Sequence, residues 1–126
     1  MSLKTPLGRV RGLGSAKDGT EHFWIQRVTA IALVPLVIWF IAKVIALTGA
    51  DYMTARAAVA DPLFAVPLLL LIGTGFYHLK LGMQVVIEDY VSNDALKIPA
   101  LLLNTFFCAG VGILSAFAVL QISFGG

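Results

Sequence analysis

Three uninterrupted apolar stretches dominate this chain, at residues 23–47, 63–87 and 98–124. Each exceeds the ~20 helical residues needed to cross a hydrocarbon core of ~30 Å. Lipid offers no partner to backbone N–H and C=O groups, so spanning segments are helices or closed barrels, and three spans cannot close a barrel. Composition agrees: 59% of the 126 residues are hydrophobic, 13% are charged, and the mean hydropathy is +0.90. A soluble domain carries about a quarter of its residues as charges, and one this small could not hide so much apolar surface. The expected fold is an all-α membrane protein, a single domain over residues 1–126 with a tail at 1–22, three spans, and polar connectors at 48–61 and 88–97.

Local signals mark the boundaries. Asp61-Pro62 supplies an N-cap and a first-turn proline for the second helix; Asp94 and Pro99 are expected to do the same for the third. Pro35 and Pro67 fall inside spans, and Pro35 predicts a kink. No cleavable leader is expected, because the first apolar run is too long for a signal core and lacks a small-residue cleavage site.

Net charge is +2, too small to suggest nucleic acid, but its distribution orients the chain. Lys4, Arg9, Arg11, Lys17 and Arg27 cluster at the amino end, whereas the first connector holds only Arg56 and the second only Lys97. The positive-inside rule then places the N-terminus in the cytoplasm (the matrix, in a mitochondrion) and the C-terminus on the periplasmic or intermembrane side. Lys43 snorkels to the outer interface from one turn away. Lys80 lies deeper, on a different helix face from His78, and reads as snorkelling or neighbour-paired.

His78 is the most informative residue. It lies ten residues before Glu88, about 15 Å from the inner boundary, where an ionisable group is a functional-site hypothesis by default. Gly75, Gly82 and Asp89 lie within about 60° of it around the helix. The glycines clear space for a flat macrocycle such as haem, or let another helix approach closely; both readings stand. An iron ligand at His78 would need its opposite ligand from another polypeptide, since Met83 shares the helix, Met53 lies in the outer connector, and His22 precedes the first span.

At the inner boundary, Arg27 opens helix one, while Glu88, Asp89 and Tyr90 close helix two. Arg27 suits a carboxylate such as a haem propionate, or serves as an interface anchor. Tyr90 has a phenol able to donate to a carbonyl, with Asp89 beside it as a proton carrier; the plainer reading is an aromatic-belt tyrosine. Asn104, Cys108, Gly112 and Ser115 form a narrow stripe assigned to helix packing. Gly12-Leu13-Gly14-Ser15-Ala16-Lys17 follows no strand and lacks phosphate-loop spacing. There is no CxxC, HExxH or nucleophilic triad, so no nucleotide or peptide chemistry is expected of this chain alone.

These residues resemble a known family, the hydrophobic membrane-anchor subunits of succinate dehydrogenase (respiratory complex II). The resemblance covers nearly the whole chain: a basic Gly-containing tail, Gln26-Arg27-Val28-Thr29-Ala30 opening the first helix, and three spans. Its most specific part is His78-Leu79-Lys80-Leu81-Gly82-Met83-Gln84-Val85-Val86-Ile87-Glu88-Asp89-Tyr90, with the family's His, a Gly four residues later and a closing Asp-Tyr pair. The resemblance implies pairing with a second three-helix anchor (a cytochrome b556-type subunit) and a haem b shared between them, with His78 as one axial ligand of the iron. It further implies Arg27 near the haem propionates, Tyr90 hydrogen-bonded to ubiquinone, and Asp89 supporting that site. FAD and iron–sulfur clusters would reside in the flavoprotein and iron–sulfur subunits; with no presequence expected, a bacterial inner membrane is favoured over a mitochondrial one. Some relatives carry a His-Asp pair shortly before the Arg; here the order is Glu21-His22, and no role is carried onto His22. The alternatives are a purely structural anchor without haem, the anchor of a fumarate reductase, and a small transporter; the last lacks paired intramembrane carboxylates.

Overall fold

The computed structural model describes residues 5–12 and 17–125, and five helices run through them. A short α1 (Pro6–Val10) lies in the tail, followed by α2 (Lys17–Ala46), α3 (Tyr52–Ala60), α4 (Pro62–Tyr90) and α5 (Asp94–Ser123). Lys4, residues 13–16 of the glycine-containing segment, and the side chains of Arg9 and Lys17 lie outside the described residues. Three helices are long and apolar enough to cross a membrane, over Gly19–Ala46, Pro62–Tyr90 and Asp94–Ser123. At 29–30 residues each, α2, α4 and α5 are about 45 Å long, so their ends pass beyond a ~30 Å core or the helices tilt.

The expected spans are therefore all present, with shifted ends. Helix α2 begins at Lys17, six residues before the expected start at 23, which places His22 within the first helix rather than ahead of it and Arg27 well inside it. Helix α4 runs to Tyr90, three residues past the expected end. Its cap is as read: the Asp61 carboxylate accepts from the Leu63 N–H at 2.9 Å, with Pro62 at the first helical position. For α5 the cap differs. Asn93 is the N-cap, accepting from Ala95 N–H at 2.9 Å, while Asp94 is already helical and pairs with Lys97 at 3.7 Å. Pro99 sits inside α5 rather than in its first turn.

The connector at 48–61 is not a plain loop. Asp51 caps α3 by accepting from Thr54 N–H at 2.8 Å, and hydrogen bonding to Thr54 holds the Asp51 carboxyl below its usual 3.8. Alanine-rich Tyr52–Ala60 has high helix propensity and packs on both α4 and α5. Gly49, in the left-handed region at φ 82°, turns the chain between α2 and α3.

Helix α4 is the centre. It packs against α2 on one side and α5 on the other, and among the described residues the backbones of α2 and α5 do not pack on each other. The α2 side of α4 carries Gly75, His78 and Gly82; the α5 side carries Phe76 and Lys80, about 160–200° away around the helix. The three helices thus form a layer, not a closed triangle. Among the described residues the buried side chains belong to α4 (Phe64, Ala65, Leu81, Ile87) and α5 (Cys108, Val119), and none to α2.

The α4–α5 seam uses the stripe assigned to packing. Asn104 Nδ2 donates to the Lys80 carbonyl at 2.9 Å, Cys108 is buried with Sγ 3.5 Å from Asn104 Oδ1, and Ser115 bonds back to the Val111 carbonyl at 2.8 Å. A Cβ at Gly112 would stand 3.4 Å from Cβ and Cγ of Phe76, whereas one at Gly110 would meet nothing within 4 Å. Gly112→Ile is accordingly expected to cost about 1–3 kcal/mol of overpacking, read as a lower melting temperature of the detergent-solubilised protein. Gly110→Ile, with the same propensity change, should leave that temperature close to wild type.

Candidate functional site

The α2 face turned toward α4 is unusually polar at one end. His22, Gln26, Thr29 and Leu33 recur at i, i+4, i+7 and i+11, one helical stripe. Three contacts fix how it meets α4: Gln26 lies opposite Gly82, Thr29 opposite His78, and Leu33 opposite Gly75. The antiparallel register is constant, the paired residue numbers summing to 107 or 108. The space at Gly75 and Gly82 is taken by α2, with Leu33 Cδ2 and Gln26 Nε2 each 3.8 Å from a built Cβ. Of the two readings of these glycines, close helix approach is the one the structure adopts.

His78 is half-buried in this seam. Its Nδ1 lies 2.9 Å from Thr29 Oγ1, and that hydroxyl also lies 2.8 Å from the Ile25 carbonyl and 3.0 Å from that of Gln26. Nε2 has no hydrogen-bond partner among the described residues, and it is not sealed from the surface. Two other polar atoms in the stripe are sealed without a partner, His22 Nε2 and Gln26 Oε1.

The register relocates Arg27. It stands level with Leu81, about one helical turn in depth from His78 and about 13 Å deeper than Tyr90. The expected cluster of Arg27 with Asp89 and Tyr90 at one boundary is therefore not formed; α2 starts too early for Arg27 to mark its end. Arg27 is exposed, about 100° around α2 from Gln26, with its guanidinium 5.1 Å from the Phe23 ring centroid. Asp89 and Tyr90 close α4, both exposed, Tyr90 at 84%. Lys80 is on the far side of α4, its ammonium 5.9 Å from the Tyr77 centroid, in keeping with a neighbour-paired cation. Lys43 is exposed in the last turn of α2.

An apolar cavity of about 470 Å³ opens between α4 and α5, bordered by Phe76, Lys80, Cys108 and Gly112. His78 does not line it. No cluster of three or more His, Cys, Asp and Glu side chains placed to hold a metal occurs among the described residues. Gln26 and Thr29 stand in the segment 26–30 that carries the resemblance, but that resemblance assigns them no role. Their signal was available: polar residues sharing a 3.6-residue stripe within an apolar run mark a buried face.

Fold and site define a three-span membrane protein with one deep histidine and a short aromatic–acidic pair at the end of the same helix. Residues 1–113 match the family model for the succinate dehydrogenase/fumarate reductase transmembrane subunit. The succinate dehydrogenase hydrophobic membrane anchor subunit of Rickettsia bellii is 39% identical over 95 residues, covering 75% of this chain and 76% of that protein. The protein of the same name from Paracoccus denitrificans is 29% identical over 125 residues, covering 99% and 96%. The chain belongs to this family, and within it to the hydrophobic membrane anchor subunits of succinate dehydrogenase.

The depth relation is open to measurement. With spin labels at Arg27→Cys or Tyr90→Cys in a Cys108→Ala background, power saturation should place position 27 about 13 Å deeper than position 90. Equal depths would contradict the register.

Proposed function

We propose that the chain anchors the succinate-oxidising flavoprotein and iron–sulfur subunits to a bacterial inner membrane, with its N-terminus in the cytoplasm and its C-terminus in the periplasm. It pairs with a second three-helix anchor, would hold a shared haem b through His78, and contributes Tyr90 and Asp89 to a ubiquinone site. The basic amino end supports this orientation.

The observation that carries the haem reading is the imidazole itself. His78 lies deep in a span, is fixed through Nδ1, and has no partner at Nε2 among the described residues, which is the donor arrangement an iron ligand requires. Met83 follows five residues on along the same helix and cannot reach the opposite face of the same metal. When bound, such a group supplies reversible one-electron transfer. This chain's own residues hold and orient: His78 by its ring nitrogen, and Arg27 by a cation close to His78 in depth. Tyr90, at the polar end of α4, donates its phenol proton in a hydrogen bond to a quinone carbonyl. Asp89 beside it is placed to pass a proton from the aqueous side.

A second reading has an observation of its own. Gly75 and Gly82 serve helix packing and Thr29 satisfies one nitrogen of His78, as in a purely structural anchor. The two readings separate in the assembled complex. His78→Leu is expected to abolish or shift the low-spin haem absorption bands; an unchanged spectrum would remove His78 as a ligand. Tyr90→Phe is expected to lower quinone reduction about two- to tenfold, the worth of one hydrogen bond. Succinate oxidation with an artificial acceptor should stay at wild-type rate, and a structural anchor would show no such split.

A further inference from the structure

The contacts of Thr29 fix more than its own position. A threonine hydroxyl has one hydrogen to give. Thr29 Oγ1 sits 2.8 Å from the Ile25 carbonyl oxygen and 3.0 Å from that of Gln26. Oxygens this close are held by a hydrogen between them; without it, lone pairs would face one another. The hydrogen therefore goes to the helix backbone, and the contact to His78 Nδ1 at 2.9 Å uses a hydroxyl lone pair. Nδ1 must then carry the ring proton of the neutral imidazole, and Nε2 carries the lone pair.

We propose that Thr29 is a positioning residue that sets the tautomer of His78, so that Nε2 presents its lone pair to a metal. This rests on the haem reading above. The alternative, Thr29 donating to Nδ1, would put the proton on Nε2 and block ligation there. Valine has the shape of threonine without the acceptor, and serine keeps the acceptor. Loss of an outer-shell partner of a metal-bound histidine costs about 10–100-fold in metal affinity. It also makes the imidazole a poorer electron donor, which favours the reduced iron.

The test compares assembled complexes. Thr29→Val is expected to release haem at least about tenfold more readily in a competition with free imidazole, and to raise the haem midpoint potential. Thr29→Ser is expected to restore both. If His78→Leu abolishes the low-spin spectrum while Thr29→Val matches wild type in affinity and potential, the positioning role is wrong and the ligand role stands. If His78→Leu leaves the spectrum intact, the haem reading itself has failed. A measurement without substitution guards against misassembly of the valine variant. In the haem-free full-length chain labelled with ¹⁵N-histidine, the His78 resonances should report an Nδ1–H tautomer, and an Nε2–H tautomer would overturn the proposal.

Discussion

With α2 and α5 on opposite sides of α4 and their backbones not packed on each other among the described residues, every interhelical contact that positions His78 runs through one helix. Lipid supplies no hydrophobic driving force between helices, so their association rests on close fit and on polar groups that satisfy one another. The chain uses a different device on each side of α4. Toward α5 it inserts the Phe76 ring over Gly112 and ties the Asn104 amide to the Lys80 carbonyl. Toward α2 it removes side chains at Gly75 and Gly82 and joins Thr29 to His78. A helix gripped from both sides holds its residues at fixed depth and rotation, which a metal ligand or a proton carrier needs. The outer helices have no such constraint, and α2 keeps most of its apolar surface open.

The polar stripe on α2 has a physical cost that packing alone would not justify. Each polar group placed away from water loses hydration and regains it only through a partner. Thr29 is fully accounted for by His78 and the preceding turn, whereas His22 Nε2 and Gln26 Oε1 are sealed without one. Retaining polar residues there is understandable if the stripe serves the imidazole it ends on.

Much of this was legible in the sequence. The three spans follow from length and apolarity, the Asp61-Pro62 start from cap chemistry, and the Asn104–Ser115 stripe from its four-residue spacing. What escaped depends on relations between helices. Periodicity gives the face a residue occupies on its own helix but not the register of that helix against its neighbour, so the common boundary assigned to Arg27 and Tyr90 could not be checked from spacing. The polar start of α2, with Lys17, Asp18 and Glu21, reads as a tail because hydropathy, not helicity, marks a span. Helix α3 went unread because its alanines are neither apolar enough for a span nor polar enough to contradict a loop. The glycines beside His78 left two uses open, and only the positions of Leu33 and Gln26 distinguish them.

Register also constrains where anything shared by His78 and Arg27 must lie. The two are about one turn apart in depth, but Arg27 lies on Phe23 of its own helix while His78 contacts Thr29 across the seam. The seam between these helices is filled by Leu33 against Gly75 and Gln26 against Gly82, so it offers no room for a flat group. In the proposed reading, a metal at Nε2 is therefore approached from the open margin of the seam. A carboxylate held by Arg27 is reached around the outside of α2. In that reading, a partner helix on the open face of α2 would also exclude lipid from the group.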